Sequence, residues 1–448
     1  MNTQFEGKKV GVLGFGIEGQ AMTNWLLTNG ASVIVFDERA FDPSIIEHFQ
    51  GQAVEFRSGP FADFTGVEVI VRSPGIRPDI AALDVARQQG VIITSSTQIF
   101  LERAKGTVVG VTGTKGKGTT SQLLYNIISS DRDNVYLGGN IGTSPLGFLS
   151  ELNDQSITVL ELSSFQLADV TCSPHIAIVL MVTSEHLDYH PSQEAYVQAK
   201  AGITKFQTSG DTVIYNSDYP ASVAIAGYSK GRKLEVSRKH IDSDGCTVKN
   251  NLLIVQFDGQ EEIYMAASDF GLVGQHNWEN ICAAVMAARA LGRSDQAIIS
   301  TIKKFSGLEH RLEFVAEKSG VRYYNDSIST TPESAIAALQ AFDQPKIIIL
   351  GGSSKQSDFT QLAEVIKTSN VKVVVGIGQE WQRIKEAIGP TNIQLIEGLE
   401  TMTDVVAACA RTAAAGDVVL LSPACASFGM FHDYKDRGHQ FKDGVKAL

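Results

Sequence analysis

The sequence predicts an α/β protein with three domains: a Rossmann-like N-terminal domain, a central P-loop ATPase-like domain with extra antiparallel strands, and a Rossmann-like C-terminal domain. A chain of 448 residues is too long for one ordinary hydrophobic core. Short runs rich in valine, isoleucine and leucine alternate with helical stretches, which is the pattern of parallel sheets covered by helices. Glycine-rich loops follow the first strands of two of these blocks. We therefore expect domains at residues 1–100, 101–308 and 309–448.

The apolar runs are short enough to be buried strands. In the first domain they are Val10–Gly14, Val33–Asp37, Val67–Val71 and Val91–Thr94. In the central domain they are Val108–Thr112, Ile157–Glu161, Ile176–Leu180 and Val213–Tyr215, and in the C-terminal domain Lys346–Leu350, Val373–Val375 and Val418–Leu421. Between Lys233 and Met265 polar turns separate the runs, which predicts antiparallel strands. An apolar helix, Asn277–Leu291, should follow them.

The composition excludes several classes of protein. Hydrophobic residues make up 43% of the chain and charged residues 19%, a balance typical of globular rather than disordered chains. A net charge of -11 without a basic tract argues against nucleic-acid binding. No apolar run is long enough for a membrane span, the first residues lack the layout of a signal peptide, and five scattered cysteines indicate reduced thiols. We expect a cytoplasmic monomer.

The first glycine-rich loop has the spacing of a dinucleotide-binding fingerprint. Gly14, Gly16 and Gly19 lie between a predicted strand and a predicted helix, and Asp37 ends the next strand. Such glycines let the backbone approach a diphosphate at a helix N-terminus, and such an acid binds a ribose hydroxyl. Alone, the pattern favours a nicotinamide enzyme, with tight turning and helix packing as the purely structural alternative. A second loop, Arg72–Ile76, ends a later strand of the same predicted sheet, where ligands of open sheets bind.

The second glycine-rich loop, Gly110–Thr120, predicts a triphosphate site. It lies between a strand and a helix, so its backbone N–H groups can surround an anion while Lys117 adds a positive charge. The usual P-loop pattern is broken at Val111, where a glycine is expected, and at Gly118, where a magnesium-binding hydroxyl is expected. Thr119 can supply that hydroxyl one position later. A glycine-rich turn that binds no phosphate is the alternative.

The segment from Gly113 to Thr119 resembles the ATP loop of the Mur ligase and folylpolyglutamate synthetase superfamily. Further matches, in the same order, are Gly139–Gly142, Leu160–Leu167, Glu185–Asp188, Ala199–Lys200, Gly274–Asn277 with Asn280, His310–Arg311, Asn325–Ser327 and Leu421–Ser427. The resemblance covers essentially the whole chain. A nucleotide-binding domain ahead of the ATP loop makes the chain similar to the Mur ligases, since the folylpolyglutamate synthetases lack such a domain. It implies an ATP-dependent, ADP-forming ligase of peptidoglycan synthesis, joining glutamate to UDP-N-acetylmuramoyl-L-alanine through an acyl phosphate.

The resemblance implies an ATP site drawn from separated parts of the chain. Its residues are Gly113, Thr114, Lys115, Gly116, Lys117, Gly118 and Thr119 in the loop, with Asn277, Asn280, His310, Arg311 and Asp326. Two Mg²⁺ ions would be held by Thr119, Glu161, His186 and Lys200, the last of them carbamylated. The implied catalytic residues are Lys117, Glu161, His186, Lys200 and Arg311.

Without the resemblance, several of these residues have plainer roles. Glu161 could cap the helix that follows its strand. Lys200 would be expected on a helix surface, as most lysines are. Asn277 and Asn280 could cap the N-terminus of a helix.

The resemblance also implies sites for the two substrates that are joined. UDP-N-acetylmuramoyl-L-alanine would be held by Gly16, Ile17, Glu18, Asp37, Arg39, Ser73, Pro74, Gly75 and Asn140. Glutamate would be held by Thr330, Lys355, Ser427 and Tyr434, which together offer a cation and hydrogen-bond donors. The family pattern has a lysine where this chain has Ile328. D-glutamate is the expected substrate, and L-glutamate stays open.

Three other functions stay open at this point. A related ligase could add another amino acid or extend folate, and the site around Lys355, which favours a second carboxylate, would discriminate between these. An NAD-dependent oxidoreductase would explain only the first glycine-rich loop and leave two domains without a role. A non-catalytic nucleotide sensor would keep the ATP loop and lose the chemistry, in keeping with Gly118 and Ile328.

Overall fold

The computed structural model describes residues 5–183, 189–272, 274–353 and 357–448. These residues form three sheets of five, nine and six strands, each with helices packed on it, so the predicted α/β class is confirmed. The chain divides into two compact units, Met1–Phe305 and Ser306–Leu448. Across the described ranges no helix is both long and apolar enough to cross a membrane.

The first sheet is parallel, with strand order β3-β2-β1-β4-β5. Its elements are β1 Lys9–Leu13, α1 Ile17–Thr28, β2 Ser32–Asp37, α2 Pro43–His48, β3 Val54–Ser58, β4 Val69–Arg72, α3 Ala81–Gln88 and β5 Ile92–Ser95. The chain reverses its direction of winding between β1 and β4, so a crevice opens where these two strands end. Both loops singled out from the sequence, after Leu13 and after Arg72, lie at this point.

The second sheet has nine strands in the order β14-β13-β12-β11-β10-β9-β6-β8-β7. Its elements begin with α4 Ser96–Arg103, β6 Thr107–Thr112, α5 Lys117–Ser129, β7 Val135–Gly139, α6 Pro145–Phe148, β8 Ile157–Glu161, α7 Ser164–Leu167, β9 Ile176–Val179, α8 Gln193–Ala201, β10 Thr212–Asn216 and α9 Pro220–Gly227. They continue with β11 Arg232–Ser237, β12 Gly245–Lys249, β13 Leu252–Phe257, β14 Gln260–Ala266, α10 Trp278–Ala290 and α11 Asp295–Lys304. The prediction of antiparallel strands from Lys233 onward is wrong for β11, which pairs in parallel with both neighbours, and correct for the β12-β13 and β13-β14 pairs.

The third sheet lies in the second unit and has the order β15-β16-β20-β17-β18-β19. Its elements are β15 Glu313–Lys318, β16 Val321–Asn325, α12 Pro332–Gln340, β17 Lys346–Gly351, α13 Thr360–Thr368, β18 Val371–Ile377, α14 Trp381–Ile388, β19 Gln394–Ile396, α15 Met402–Thr412, β20 Val418–Leu421 and α16 Tyr434–Lys446. Only the β15-β16 pair is antiparallel among its strand pairs in the described chain.

The cores explain why the first two sheets form one unit. One face of the second sheet packs against α5 and α10, and α10 is buried almost all round. The other face shares a continuous apolar cluster with the first sheet, through side chains such as Phe100 on α4 and Phe148 on α6. Because these surfaces leave water together, the first two sheets are held in a fixed arrangement.

Candidate active site

The candidate ATP loop connects β6 to α5. Gly116 has a φ of 86°, and a Cβ at this position would lie 2.1 Å from Asn280 Oδ1. Only glycine therefore fits between the loop and α10. The helix α5 begins at Lys117, and no side chain of the described residues caps its first amides. The first N–H groups of a helix are suited to binding an anion.

Two lysines converge on this loop from different helices. Lys117 Nζ donates to the carbonyl oxygens of Gly113 at 2.9 Å and of Thr114 at 3.1 Å. Lys200, on α8, is buried, and its Nζ donates to Gly113 O at 3.0 Å and to Thr112 Oγ1 at 3.3 Å. The surface location that is usual for a lysine is therefore wrong for Lys200. The fold brings it to the candidate ATP loop.

A buried carboxylate lies beside the loop at the end of the neighbouring strand. Glu161 ends β8, which pairs with β6, and Asn140 Nδ2 donates to its Oε1 at 2.9 Å. The following helix α7 is capped by Ser163, which forms a reciprocal capping box with Gln166. Glu161 is therefore not the cap of that helix. Carboxylate oxygens of this kind suit Mg²⁺. Thr119, which follows Lys117 in the first turn of α5, is half-buried.

The two asparagines bond to each other rather than to the helix backbone. Asn277 precedes α10 and makes no side-chain cap, and Asn280 Nδ2 donates to its Oδ1 at 3.0 Å. Both side chains are buried. The capping role is therefore excluded, and a fixed pair of amides lies against the ATP loop.

The glycines of the first glycine-rich loop differ in whether a side chain would fit at their position. A Cβ at Gly19 would lie 2.0 Å from Gly14 O, whereas a Cβ at Gly16 would meet nothing within 4 Å. Helix packing thus accounts for Gly19 but leaves Gly16 accessible to a ligand. Ile17 beside it is 87% exposed, which is unusual for an isoleucine.

Asp37 is tied to this loop by hydrogen bonds. Its carboxylate accepts from Phe15 N at 2.8 Å and from Arg39 N at 3.0 Å. Burial acts to raise the pKa of Asp37, but these hydrogen bonds outweigh it and hold the pKa below its ordinary value. The side chain is therefore anionic and fixed, while Arg39 is exposed beside it.

The short helix α7 connects the two sheets through polar groups. Glu18, at the start of α1, accepts from Ser96 Oγ at 3.0 Å and from Gln166 Nε2 at 3.2 Å. Burial raises the pKa of Glu18 above its ordinary value. His190 is buried against the same helix, with its Nε2 2.9 Å from Ser164 Oγ. The loop at Gly16 and the strand end at Glu161 are thus joined through one capped helix.

Arg72 holds the second loop of the first sheet in place, a role that the sequence motifs do not assign. Its guanidinium is fully buried and bonds both oxygens of Asp169, at 3.1 and 2.7 Å. The same group donates to the carbonyl oxygens of Ser73, Pro74 and Ile76. The loop that contains Ser73, Pro74 and Gly75 is therefore held against the segment that follows α7. An arginine at the end of an otherwise apolar strand was the available signal.

In the second unit, His310 is buried with its ring against α16. Glu309, His310 and His439 have potential metal-ligand atoms within 4.8 Å of one another. Asn325 Nδ2 donates to His310 Nδ1 at 2.9 Å and to Glu313 Oε2 at 3.0 Å, which fixes the orientation of its amide. The neutral ring then carries its proton on Nε2, so this cluster is not a metal site in the observed geometry. Burial lowers the pKa of His310, in agreement with a neutral ring.

Asp326 follows β16 and is buried. Its carboxylate accepts from Ser329 Oγ at 2.5 Å, from Ser422 Oγ at 2.7 Å and from Leu312 N at 3.1 Å. Burial outweighs these hydrogen bonds and raises the pKa of Asp326 to about 6. Arg311 is exposed, and its charge acts in the opposite direction, to lower the pKa of Asp326.

Three of the predicted glutamate residues are described, and they lie on loops after β16 and β20 and at the start of α16. Ser427 is buried, Thr330 and Tyr434 are half-buried, and Ser327 Oγ donates to Tyr434 O at 2.8 Å. An isolated bridge joins Ser353 to Ala426, so Ser353 lies beside the segment of Ser427. Lys355 and His186 lie outside the described residues.

Sequence comparisons find similar proteins along the whole length of the chain. Residues 8–95 match the N-terminal domain of the Mur ligase MurD-like type, residues 111–288 the Mur ligase middle domain, and residues 310–425 the glutamate ligase domain of Mur ligases. A UDP-N-acetylmuramoylalanine–D-glutamate ligase of Acetivibrio thermocellus is 36% identical, over 99% of this chain and 97% of the relative. The proteins of that name from Pelotomaculum thermopropionicum and Bacillus cereus are 35% and 34% identical, each over 100% of this chain and 99% of the relative.

Solved structures agree on the fold. The MurF ligase of Thermotoga maritima in complex with ADP superimposes with a TM-score of 0.55 at 20% identity, over 100% of this chain and 97% of that chain. The UDP-N-acetylmuramate-alanine ligase MurC of the same organism gives a TM-score of 0.56 at 16% identity, over 98% and 99%.

The chain has three helix-covered sheets and a glycine-rich strand-to-helix loop with a buried acid and a buried lysine beside it. This combination is that of the ATP-dependent amide ligases. The chain belongs to the Mur ligase family. The resemblance drawn from the motifs is therefore confirmed, and the first glycine-rich loop belongs to a ligase rather than to a nicotinamide oxidoreductase.

Proposed function

We propose that this protein joins D-glutamate to UDP-N-acetylmuramoyl-L-alanine with hydrolysis of ATP to ADP and phosphate. The observation that carries the proposal is the convergence of Lys117, Lys200 and Glu161 on one loop at the ends of β6 and β8. Relatives that are about one-third identical over their full lengths carry this activity in their names. We further propose a cytoplasmic monomer with functional domains at residues 1–100, 101–308 and 309–448.

The reaction has two steps. The muramoyl-alanine carboxylate attacks the γ-phosphorus of ATP. The bond from that phosphorus to the bridging oxygen breaks, ADP departs, and an acyl phosphate is formed. The glutamate amine then attacks the acyl carbon, phosphate leaves with the former carboxylate oxygen, and the amine proton is lost to solvent. Both steps bring anions together, so the site must supply fixed positive charge and oriented N–H groups.

The ATP loop supplies part of that charge. The first amides of α5 would hold the β- and γ-phosphates, and Lys117 would turn from its carbonyl partners to them. Lys115, Thr114 and the loop glycines would surround the rest of the triphosphate. Asn277 and Asn280 would read the adenine edge, because their amides are fixed to each other beside the loop.

Magnesium fits the oxygen-rich side of this loop. Glu161, Thr119, His186 and Lys200 would hold two Mg²⁺ ions, which when bound neutralise phosphate charge. Lys200 would do so as a carbamate, which converts its positive group to a carboxylate. The position of Lys200 supports this role, because its side chain is buried and its Nζ lies within hydrogen-bond distance of Gly113 O in the loop.

The nucleotide-sugar substrate would bind at the crevice of the first sheet. Gly16 leaves room for a diphosphate, and the exposed Ile17 and the fixed Asp37 with Arg39 lie beside it. Glu18 would position the loop. Ser73, Pro74, Gly75 and Asn140 would hold the remainder, with Asn140 already bonded to Glu161.

The second unit would supply the amino-acid site and the rest of the ATP site. His310 and Arg311 would act on ATP, with Asp326 taking its ribose. Thr330, Lys355, Ser427 and Tyr434 would bind glutamate. The D-form is favoured by the names of the relatives, although Ile328 stands where the family pattern has a lysine.

The test is phosphate release from ATP by the purified chain, with product identified by mass. Release should require UDP-N-acetylmuramoyl-L-alanine and glutamate together, and D-glutamate should be preferred over L-glutamate. Phosphate release in the absence of either substrate would overturn the proposal. A chain that releases no phosphate with either form of glutamate would overturn it too.

Lys117→Ala should lower kcat by at least about 10³-fold, because a fixed charge on the transferred phosphoryl group is lost. Lys105→Ala is the control, since Lys105 is an exposed lysine just before β6. Equal activities of the two variants would contradict the role of Lys117.

A further inference from the structure

Arg437, on the first turn of α16, has a fully buried guanidinium, and no carboxylate of the described residues forms an ion pair with it. Nε donates to Ser327 Oγ at 2.9 Å, Nη2 to Ser327 O at 2.8 Å, and Nη1 to Cys425 O at 3.1 Å. All three acceptors are uncharged. Burial is severe enough to lower the pKa of Arg437 to about 10, and it remains a cation at neutral pH.

The acidic residues of the second unit named below bond to groups other than Arg437. Asp433 caps α16 by accepting from Asp436 N, and Asp436 accepts from His432 N. Glu313 is paired with Lys442, and Asp326 is bonded to two serine hydroxyls and a backbone amide. Within the described part of this unit, Arg437 thus has hydrogen bonds but no ion pair.

A buried charge of this kind is costly to the folded chain. Hydrogen bonds to neutral oxygens replace part of the lost hydration, but the field of the charge is not cancelled. Inside a protein that field is screened less than in water and extends to neighbouring loops. An anion that binds nearby would be stabilised by it.

The partners of Arg437 belong to the loops of the amino-acid site. Ser327 lies three residues before Thr330, and Cys425 lies two residues before Ser427. Ser327 also donates to Tyr434 O, so the guanidinium lies directly behind three segments proposed to hold glutamate. Because Arg437 has no exposed surface, it cannot touch the substrate and must act through these loops.

We propose that Arg437 is a positioning residue that determines specificity: its uncompensated charge makes the amino-acid site select a substrate with a second carboxylate over a neutral amino acid. This inference rests on the proposed function and names the group that selects the substrate. The isoleucine at position 328 adds no charge there, so the buried arginine contributes a larger share of the positive field.

The size of the effect follows from electrostatics. A unit charge roughly 8–10 Å from a carboxylate, at an effective dielectric constant of about 20, favours the anion by about 15- to 35-fold. Removing the charge should therefore lower the preference for glutamate over glutamine by that factor. A lysine at the same position keeps the charge but not the planar donors, and should lower the preference by no more than about 3-fold.

The experiment is an internal competition. Glutamate and a large excess of glutamine, in the stereochemical form that the wild type uses, are offered together with ATP and UDP-N-acetylmuramoyl-L-alanine, and the two products are quantified by mass. The product ratio measures the ratio of kcat/KM values and does not depend on the fraction of active molecules. The chains compared are wild type, Arg437→Met, Arg437→Gln, Arg437→Lys and the control Arg411→Met, in which an exposed arginine of α15 is replaced.

We expect the ratio to fall about 15- to 35-fold in the Met and Gln variants, and to stay near the wild-type value in the Lys and control variants. An unchanged ratio in a neutral variant, or an equal fall in Lys and Met, would overturn the inference and leave Arg437 a structural residue. If neither neutral variant folds, a fall of about 15-fold or more in the Lys variant overturns it, and a ratio within about 3-fold supports it. Failure of the proposed function is distinct, because the wild type would then give no glutamate product.

Discussion

Replacing Arg72 by methionine should destabilise the first unit and impair binding of the nucleotide sugar. Methionine fills much of the same volume but leaves Asp169 without its bidentate partner and Ser73 O without its donor. Removing one partner of a buried ion pair costs about 3–5 kcal/mol. Asp169 keeps 21% of its side chain exposed and can hydrate in part, and Tyr189 remains hydrogen-bonded to Pro74 O and Ile76 O. We therefore expect a loss of about 3 kcal/mol in the free energy of unfolding.

Urea unfolding in a Trp381→Phe background measures this loss. The remaining tryptophans, Trp25 and Trp278, both lie in the unit Met1–Phe305, so fluorescence then follows that unit. Asp169→Asn and the double variant complete a thermodynamic cycle, and the coupling between Arg72 and Asp169 should exceed about 1 kcal/mol. Arg77→Met is the control, because its ion pair with Asp79 is exposed and should leave the midpoint unchanged.

Kinetics test the second half of the prediction. The loop Ser73–Gly75 should lose its fixed position, so KM for UDP-N-acetylmuramoyl-L-alanine should rise about 10-fold or more while KM for ATP changes little. If Arg72→Met unfolds at the same urea concentration as Arg77→Met, or if both KM values rise equally, the guanidinium does not hold this loop as described.

Two further predictions concern the second unit and the ATP loop. Because burial raises the folded-state pKa of Asp326 to about 6, the folded chain binds more protons than the unfolded chain between about pH 4 and 6, and stability should fall by about 2 kcal/mol as pH rises through that window. Asp326→Asn should abolish this slope, and a slope that persists in the variant would assign it to another group. Gly116→Ala should raise KM for ATP strongly, because the methyl group would meet Asn280 and the backbone has a φ of 86°. Gly227→Ala, at an open position on α9, should leave KM for ATP unchanged, and an equal effect of both changes would show that the contact is unimportant.

Apolar runs predicted the buried strands well because burial on both faces requires continuous aliphatic sequence. The strand β3 was missed because it alternates apolar and charged residues, Val54-Glu55-Phe56-Arg57, at the edge of its sheet. β11 was placed in the antiparallel group because sequence pattern does not encode which strand lies next to it. Strand direction depends on pairing across the fold, which local sequence does not contain.

The glycine-rich turn between β6 and α5 was predictable because its signal is local: glycines, lysines and a helix start lie within a few residues. The position of Lys200 was available only through family resemblance, since nothing in α8 distinguishes a lysine that will be buried from one that will be exposed. Arg72 was named only as the start of a loop, and Arg437 was not named, because burial of a guanidinium depends on residues far apart in sequence, such as Asp169 and Ser327.

These two arginines are opposite cases of a buried cation, and the difference predicts what each one does. Arg72 has its counter-ion, Asp169, within the chain, so its charge is largely cancelled and its effect should appear in stability and loop position. Among the residues that the structure describes, Arg437 has only neutral acceptors, so its charge is not cancelled by them and an anionic ligand can use it. Selectivity for glutamate over glutamine should therefore respond to Arg437→Met and not to Arg72→Met. If Arg72→Met changed the selectivity as strongly, buried charge without a counter-ion would not be what distinguishes the amino acid.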